Sequence, residues 1–423
     1  MRILHKHHHH YLACIALSIG SAFAQTPRQI TLPEALTAAA QNIDAQIAKQ
    51  LLGAARADIT AANRAPLPVL STSVSQIDLQ NGVGAGSLLT QKRIDKNIGF
   101  DWTLERGNKR ELRTETATQA ANASAQDLRE LLTQQKLLAS NAFFDLLAAQ
   151  QRTSQIGAIA ASAQQLADAA AKRLAAGDLS AQDAARSNIE AQRAKNEVTL
   201  AEQGRAQAEL TLNLILDLGP QKIIASAPQA TASKAYSSVK ISMLPIEARA
   251  DVQAAMARVE ATRAALNGAF ALKKNDVTLG TAFDHWPGTS TRLLTFRLQV
   301  PLQLGALGGY TFGGEIARAE AQLAIAEAAL ERIRHAASND AQRLTQDLQS
   351  SQTRATSYNE GIAPEAKRVA DQAELAYNKG ALSLTDLLEA RRTWRATTLE
   401  AINAQTDFEK ALTAWNIRTE SLK

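Results

Sequence analysis

Few residues in this 423-residue chain belong to types and spacings that do chemistry, and those few fall into three groups. Asp386 and Glu389 stand three apart in helix-forming sequence, so both carboxylates share one helix face. Two readings fit them. They form an ordinary solvated face or, if several copies surround an axis, a carboxylate ring that attracts cations and repels anions. Gly82, Gly84 and Gly86 have the look of a phosphate loop, but no Gly-Lys-Ser/Thr follows and strand-like sequence comes next, so they read as a flexible hairpin tip. His285 and His335 are the only histidines after the N-terminal segment, and Met243 and Met256 the only methionines. A specific zinc or copper site needs several N or S ligands at fixed spacing, and none is visible. No nucleophile elbow and no histidine placed as a base can be found, so the sequence reads as that of a non-enzyme without cofactor.

The N-terminus carries an export address. Arg2 and Lys6 precede a short apolar run from Tyr11 to Ile19, and Ala22, Phe23, Ala24 give the small-X-small pattern of a cleavage site, so residues 1–24 read as a signal peptide. Cys14 lies inside the apolar run and not after it, which argues against lipidation; it is also the only cysteine, so disulfides are excluded from the mature chain. The His7–His10 run leaves with the same segment. Loss of Arg2 and Lys6 takes the basic count from 46 to 44 against 41 acidic residues, about +3 net. The charges are interspersed, unlike the basic stripe of a nucleic-acid binder. No later run reaches the roughly 18 apolar residues of a membrane helix, so entry into a membrane would have to use strands.

The elements that position these residues come in two copies. Gly177, Ser180 and Asp183 recur as Gly380, Ser383 and Asp386, each 203 positions on, and each copy sits midway along a long helical stretch as the tip of a helical hairpin. The segment around Asn42 and Asp44 is echoed around Arg249 and Asp251. The first repeat is expected over 25–218: a helix from Leu32 to about Arg64, strands over about 68–79 and 96–106, a helix from about Asn108 to Gly177, and a return helix from Ser180 to Leu218. Residues 219–245 read as a linker. The second repeat, 246–423, is expected to carry a helix to about Lys273, strands over about 276–286 and 292–302 joined through Pro287 and Gly288, a long helix from Gly314 to Lys379 and a last helix from Leu382 to Arg418. Some seventy residues of helix span about 100 Å, too long for an ordinary globule. Leu128, Leu132, Ala139, Ala142 and Leu146 form a heptad-like seam.

The strands alternate. Ile98, Phe100, Trp102 and Leu104, like Leu294, Phe296, Leu298 and Val300, share one apolar face, with polar residues between them. Packed inward, these faces would make a soluble hairpin pair. Turned outward, four strands of roughly ten residues match the length of tilted membrane strands, but about eight is the smallest closed barrel. Open edges in lipid cost several kcal/mol per unpaired group, so in that reading several copies must share one barrel, with Asp101, Glu105 and Arg297 facing water.

In this order the motifs resemble the TolC-like outer membrane efflux proteins over nearly all of the mature sequence. The marks are the paired starts near Asn42 and Asp251, the junction Gly107-Asn108-Lys109-Arg110, the strand end Val300-Pro301-Leu302, Gly314 to Ala321, and the two tips. The compact length and the Pro-Leu strand end look most like the CzcC-like heavy-metal branch. The resemblance implies a mainly α fold with a small β part: a homotrimer with a twelve-stranded barrel in outer-membrane lipid and a periplasmic helical tunnel. It further implies a tip that opens when a periplasmic adaptor and an inner-membrane RND-type pump dock, with divalent cations such as cobalt, zinc, cadmium or nickel as cargo. By the same resemblance Asp386 and Glu389 line the constriction, and Tyr377 bonds to Asp183. An arginine that locks some members shut falls at Leu382 here, and the proline that opens the third strand is replaced around Asn275 and Asp276. A multidrug or type I secretion duct is the alternative within the family; a periplasmic coiled-coil adaptor or scaffold is the alternative outside it.

Overall fold

The computed structural model describes residues 27–87, 93–227, 245–286, 290–302 and 310–421. The signal segment with Cys14 and His7–His10, most of the expected linker, Met243, and the Pro287-Gly288 turn lie outside the described residues.

Three elements precede the four-stranded sheet. Strand β1 (Arg28–Ile30) leads into α1 (Leu32–Ala39), whose first turn holds Pro33 and whose Glu34 carboxylate accepts the Thr31 N–H at 2.9 Å. The single helix expected from Leu32 to Arg64 is in fact two. A break at Ala40–Asn42 separates α1 from α2 (Ile43–Ala62), because Asn42 leaves helical geometry and caps α2, its Oδ1 accepting the Ala45 N–H at 3.0 Å.

Strands β2 (Val69–Ser75) and β3 (Asp95–Leu104) come next. The expected strand over 68–79 stops early: Gln76 has φ +57°, and the Asp78 carboxylate accepts the N–H groups of Gln80 and Asn81, closing a turn. Helix α3 (Lys109–Ala175) runs unbroken for 67 residues, about 100 Å, and α4 (Ala181–Ile215) returns. A strand missed by the sequence reading, β4 (Ile223–Ala225), pairs in parallel with β1. That miniature sheet sits on Phe143, Phe144, Leu146 and Leu147 of α3 and Leu212 of α4, forming the largest apolar cluster of the described residues. Within the expected seam, Ala139, Ala142 and Leu146 are buried, Leu128 and Leu132 partly so.

The second half repeats the plan. One 3-10 turn (Ile246–Ala248) leads to α5 (Ala250–Ala271), then β5 (Val277–Trp286), β6 (Ser290–Gln299), and α6 (Gly313–Thr356). A π-helical turn, Ser357–Ile362, interrupts the long helix before α7 (Ala363–Asn378), and α8 (Leu384–Glu420) closes the chain. Strand β6 ends at Gln299, before Pro301, so Val300 lies just past it. Smaller apolar clusters join α5 to α6 (Val252, Val259, Leu330) and α6 to α8 (Leu348, Phe408, Trp415).

Candidate functional site

One four-stranded sheet collects the strands of both halves in the order β2-β3-β5-β6, antiparallel throughout. Register fixes what each face carries. Leu70 pairs with Phe100, Phe100 with Thr281, and Thr281 with Phe296; Trp102 pairs with Leu279 and Leu279 with Leu298. Since strand residues alternate faces, Leu70, Ile98, Phe100, Trp102, Leu104, Leu279, Phe283, Leu294, Phe296 and Leu298 share one face. No described residue covers it: every one of these side chains is exposed, Phe296 to 79%. The inward-packed alternative therefore fails for this chain. Val300 is exposed as well, though outside the strand.

The opposite face is polar and internally bonded. Asp101 of β3 pairs with Arg297 of β6, two strands away, across Gly280 of β5. A Cβ on Gly280 would lie 2.3 Å from the Asp101 carboxylate, so the pair requires a glycine there. Asn97 and Thr295 both donate to Asp284, and Thr103 and Thr278 share a hydrogen bond at 3.0 Å. Glu105, expected on this face, lies just beyond β3 and binds Arg113 at 2.6 Å. Asp276, at the place of the missing proline, accepts from Lys109 Nζ at 2.8 Å and from the Arg106 N–H at 3.0 Å, tying the start of β5 to the start of α3. Strands β2 and β6 each leave one edge unpaired by any described strand.

At the far end, each hairpin turns by one device used twice. Gly177 (φ +82°) and Gly380 (φ +76°) close Schellman caps: Asp178 N–H bonds Arg173 O at 2.8 Å, and Ala381 N–H bonds Ala376 O at 2.9 Å. Ser180 and Ser383 then cap the return helices, each hydroxyl accepting the N–H of the aspartate three residues on and donating to its carboxylate at 2.7 Å. Asp183 and Asp386 thus share a helix-capping role that their Ser-x-x-Asp spacing signals in the sequence. Asp386 and Glu389 are both exposed.

Tyr377 and Asp183 are not bonded to each other. The Tyr377 hydroxyl accepts from Arg173 Nη1 at 3.4 Å, with the guanidinium 5.8 Å from the ring centre, while Asp183 holds Ser180 and lies 3.9 Å from Arg186. Leu382 forms no bridge, but Arg186 donates to Thr385 Oγ1 at 3.1 Å. The arginines that join the two tips therefore come from the first hairpin.

Further along α8, one stripe of polar residues faces the first hairpin, and from Arg395 onward it recurs every seven or eight residues. Arg392 pairs with Glu190, Arg395 with Glu197 (2.9 Å), Asn403 with Arg152 (2.7 Å), Lys410 with Asp145 (2.6 Å) and Arg418 with Glu130 (2.9 Å). The sequence reading overlooked this stripe; the heptad-like spacing of Arg395, Asn403, Lys410 and Arg418 was the available signal.

Midway up, the two repeats carry matching clasps of different chemistry. In the first, Asn42 donates to Gln135 (2.9 Å) and Gln135 to Asp44 (3.1 Å). In the second, buried Arg249 binds Asp251 and Asp340, each at 2.9 Å. Burial pushes the Asp340 carboxyl upward, but Arg343 and Arg249 outweigh it and leave it below the usual range. A cleft of about 750 Å³ opens beside this clasp, lined by Arg249, Asp340, Arg343, Lys410 and Arg418 among others. Among the described residues no group of three or more His, Asp or Glu could hold a metal ion, and no helix is long and apolar enough to cross a membrane.

The chain thus presents a four-stranded sheet with one uncovered apolar face, carried on helical hairpins whose longer arms span about 100 Å. The sequence model of the family described as outer membrane efflux protein matches residues 246–414. Among solved structures, the outer-membrane channel OprN superposes with a TM-score of 0.73 at 18% identity, over 92% of this chain and 89% of that one. The Campylobacter jejuni CmeC outer membrane channel gives 0.70 at 14%, over 92% and 85%. The Vibrio cholerae outer membrane protein VceC gives 0.68 at 16%, over 92% and 96%. No curated protein matches this sequence. At these identities the likeness establishes the fold.

Proposed function

We propose that this chain is the outer-membrane duct of a tripartite efflux system, a passive conduit with no catalytic step and no cofactor. The observation that carries the proposal is the sheet. Its apolar face is too large to leave in water, since monomers rarely expose apolar patches beyond a few hundred Å². Its two free edges cannot be left in lipid. Three copies joined edge to edge close twelve strands, put that face against hydrocarbon, enclose the Asp101–Arg297 face around water, and continue it into the helical tube. The chain then resides in the outer membrane and reaches through the periplasm to an adaptor protein and an inner-membrane pump of the RND type.

Asp386 and Glu389, exposed at the second tip, are placed at the periplasmic constriction, and Tyr377 and Asp183 beside it. Divalent heavy-metal cations are the proposed cargo. Support comes from the acidic pair at the tip and from the compact length and Val300-Pro301-Leu302 strand end, which resemble the CzcC-like branch; selectivity is assigned to the pump. Fractionation tests the duct: a heat-modifiable trimer in detergent-solubilised outer membrane is expected, and release as a monomer by osmotic shock would instead indicate a periplasmic scaffold. A susceptibility panel on a deletion strain tests the cargo. Sensitivity to cobalt, zinc, cadmium or nickel is expected; sensitivity to organic drugs alone would point to a multidrug duct.

A further inference from the structure

The exposed apolar face of the sheet is not apolar to its end. Alternation places Leu70, Thr72 and Val74 of β2 on this side, with every second residue from Lys96 to Leu104 on β3 and from Val277 to His285 on β5. Strand β6 adds Leu294, Phe296 and Leu298. Between the Asp284–Leu293 and Trp286–Ser290 pairs the ladder is irregular, so His285 stands against two residues of β6, of which Arg292 is one. Arg292 adjoins Leu293 of the polar face and therefore takes the side of Leu294. The residues of this face that can carry charge are thus Lys96, His285 and Arg292, and they fall in one row across three strands. The next row is Ile98, Phe283 and Leu294, and beyond it β3, β5 and β6 present only apolar side chains and Thr281.

Two members of the row lack an acceptor. The Lys96 Nζ is shielded from solvent with no hydrogen-bond partner, and Arg292 is exposed with no carboxylate bound to it among the described residues. The sheet does supply a carboxylate to a cation elsewhere, since on the opposite face Asp101 holds Arg297. The acidic neighbours along the strands, Asp95 and Asp284, also belong to that opposite face, where Asp284 accepts from Asn97 and Thr295. An ammonium kept from water without an acceptor costs free energy, so the row calls for an anion from outside the chain.

We propose that this row binds the phosphate of a phosphorylated glycolipid in the outer leaflet of the membrane. The site rests on the duct reading, under which this face meets lipid. Helices α3 and α6 follow the other ends of β3 and β6, beyond Leu104 and Gln299, so the row lies at the end of the sheet remote from the periplasmic hairpins. Depth agrees. From Lys96 to Leu104 the strand covers about 27 Å, or about 20 Å of depth at a tilt of about 40°, which leaves the row at the margin of an apolar band about 25 Å tall. Lys96 and Arg292 flank β5 with backbones about 10 Å apart, close enough for both long side chains to close on one phosphate above His285 through charge-assisted hydrogen bonds. A glycolipid of this class carries phosphomonoesters on its sugars directly above its acyl chains. That order matches a cationic row directly above Ile98, Phe283 and Leu294.

Trimer purified in neutral detergent is titrated separately with diphosphoryl lipid A, the same lipid stripped of its phosphates, phosphatidylglycerol and inorganic phosphate, and bound lipid is counted by native mass spectrometry. The wild type should bind diphosphoryl lipid A more tightly than any of the other three. Lys96→Gln or Arg292→Gln should weaken that binding about fivefold, and both together about twenty-five-fold, the usual worth of basic residues at an anionic leaflet. Lys172→Gln, which removes an exposed cation from the last turn of α3, should leave it unchanged. Equal binding of phosphorylated and stripped lipid by the wild type overturns the proposal, and that comparison needs no variant to assemble. So does undiminished binding in the double variant. Phosphatidylglycerol binding as tightly, or inorganic phosphate displacing the lipid at equal concentration, would also overturn it by showing a general anion site. The duct reading is checked apart from these titrations: the wild-type trimer is expected to float with phosphatidylcholine vesicles. A chain that stays in solution refutes the duct, whereas one that floats but ignores phosphate refutes only the lipid site.

Discussion

Phe296 separates a lipid-facing sheet from a water-facing one by the sign of a single substitution. It lies near the middle of β6, pairs with Thr281, and is 79% exposed within the chain. If the exposed face met water, Phe296→Lys would remove little packing and place a charge in solvent, changing stability by no more than about 0.5 kcal/mol, the ordinary range for surface sites. Against hydrocarbon the same lysine costs about 2–4 kcal/mol per chain near the bilayer midplane. A factor of four or more separates the two cases. Gln299→Lys on the same strand is the control, because Gln299 pairs with Thr278 on the polar face and its lysine would point to water in either case. The assay is urea unfolding of protein reconstituted in phospholipid vesicles, followed by loss of heat-modifiability. Phe296→Lys should lower the transition by the larger amount and Gln299→Lys should leave it within the smaller one. Equal small effects from both lysines would refute the assignment of this face to lipid.

The geometry sets four further outcomes. Asp340→Asn leaves Arg249 buried without one of its two carboxylates and should cost about 3–5 kcal/mol in thermal unfolding, whereas the double change Arg249→Asn with Asp340→Gln, which copies the Asn42–Gln135–Asp44 clasp of the first repeat with Asp251 in the place of Asp44, should recover most of that loss. Because Arg343 and Arg249 hold the folded Asp340 carboxyl below its usual range, against burial, its contribution is present above the ordinary aspartate pKa and is lost as pH falls through the depressed folded value; melting between pH 5 and pH 2 should show this slope in the wild type and not in Asp340→Asn. Glu409 has the opposite sign: burial raises its carboxyl more than the bond from Gln405 lowers it, so Glu409→Gln should raise the melting temperature at neutral pH, with the gain vanishing below the ordinary glutamate pKa. Gly280→Ala puts a methyl 2.3 Å from the Asp101 carboxylate, and should break the Asp101–Arg297 pair and impair assembly measured by the yield of trimer on unheated gels.

The sequence disclosed the long helices, the tips and the alternating strands because each rests on local chemistry: unbroken alanine-rich runs, Gly-x-x-Ser turns, and a period of two. What it hid was non-local or depended on one atom. Asn42 looked like one more helical residue, yet its side chain ends α1 and begins α2. The β1–β4 pairing joins three residues at each end of nearly two hundred, too short to carry a pattern. Pro364 was visible within the second long helix, and its consequence, a π-turn, was foreseeable from the missing N–H. The tip contacts were expected between Tyr377 and Asp183, but the capping serine holds Asp183 and leaves Tyr377 to Arg173, a competition that no spacing rule resolves.

The duplicated tips give a way to separate architecture from conduction at Asp386. In both copies the aspartate three residues after the capping serine binds the same hydroxyl at 2.7 Å, so the shared geometry explains why an aspartate stands at both positions without any reference to cations. A capping interaction of this kind is worth about 1 kcal/mol. Asp183→Asn and Asp386→Asn should therefore lower stability by similar small amounts. The copies differ one helical turn further on: Glu389 stands three residues after Asp386 on the same exposed face, while the matching position in the first copy is Arg186, which donates to Thr385. Substitution has thus left net negative charge at one tip and a bridging cation at the other. If the second tip borders the opening, Asp386→Asn with Glu389→Gln should weaken block by divalent cations in planar-bilayer conductance, and Asp183→Asn should not, although it loses the same cap. Equal block in the wild type and both variants would mean that the aspartates only end helices.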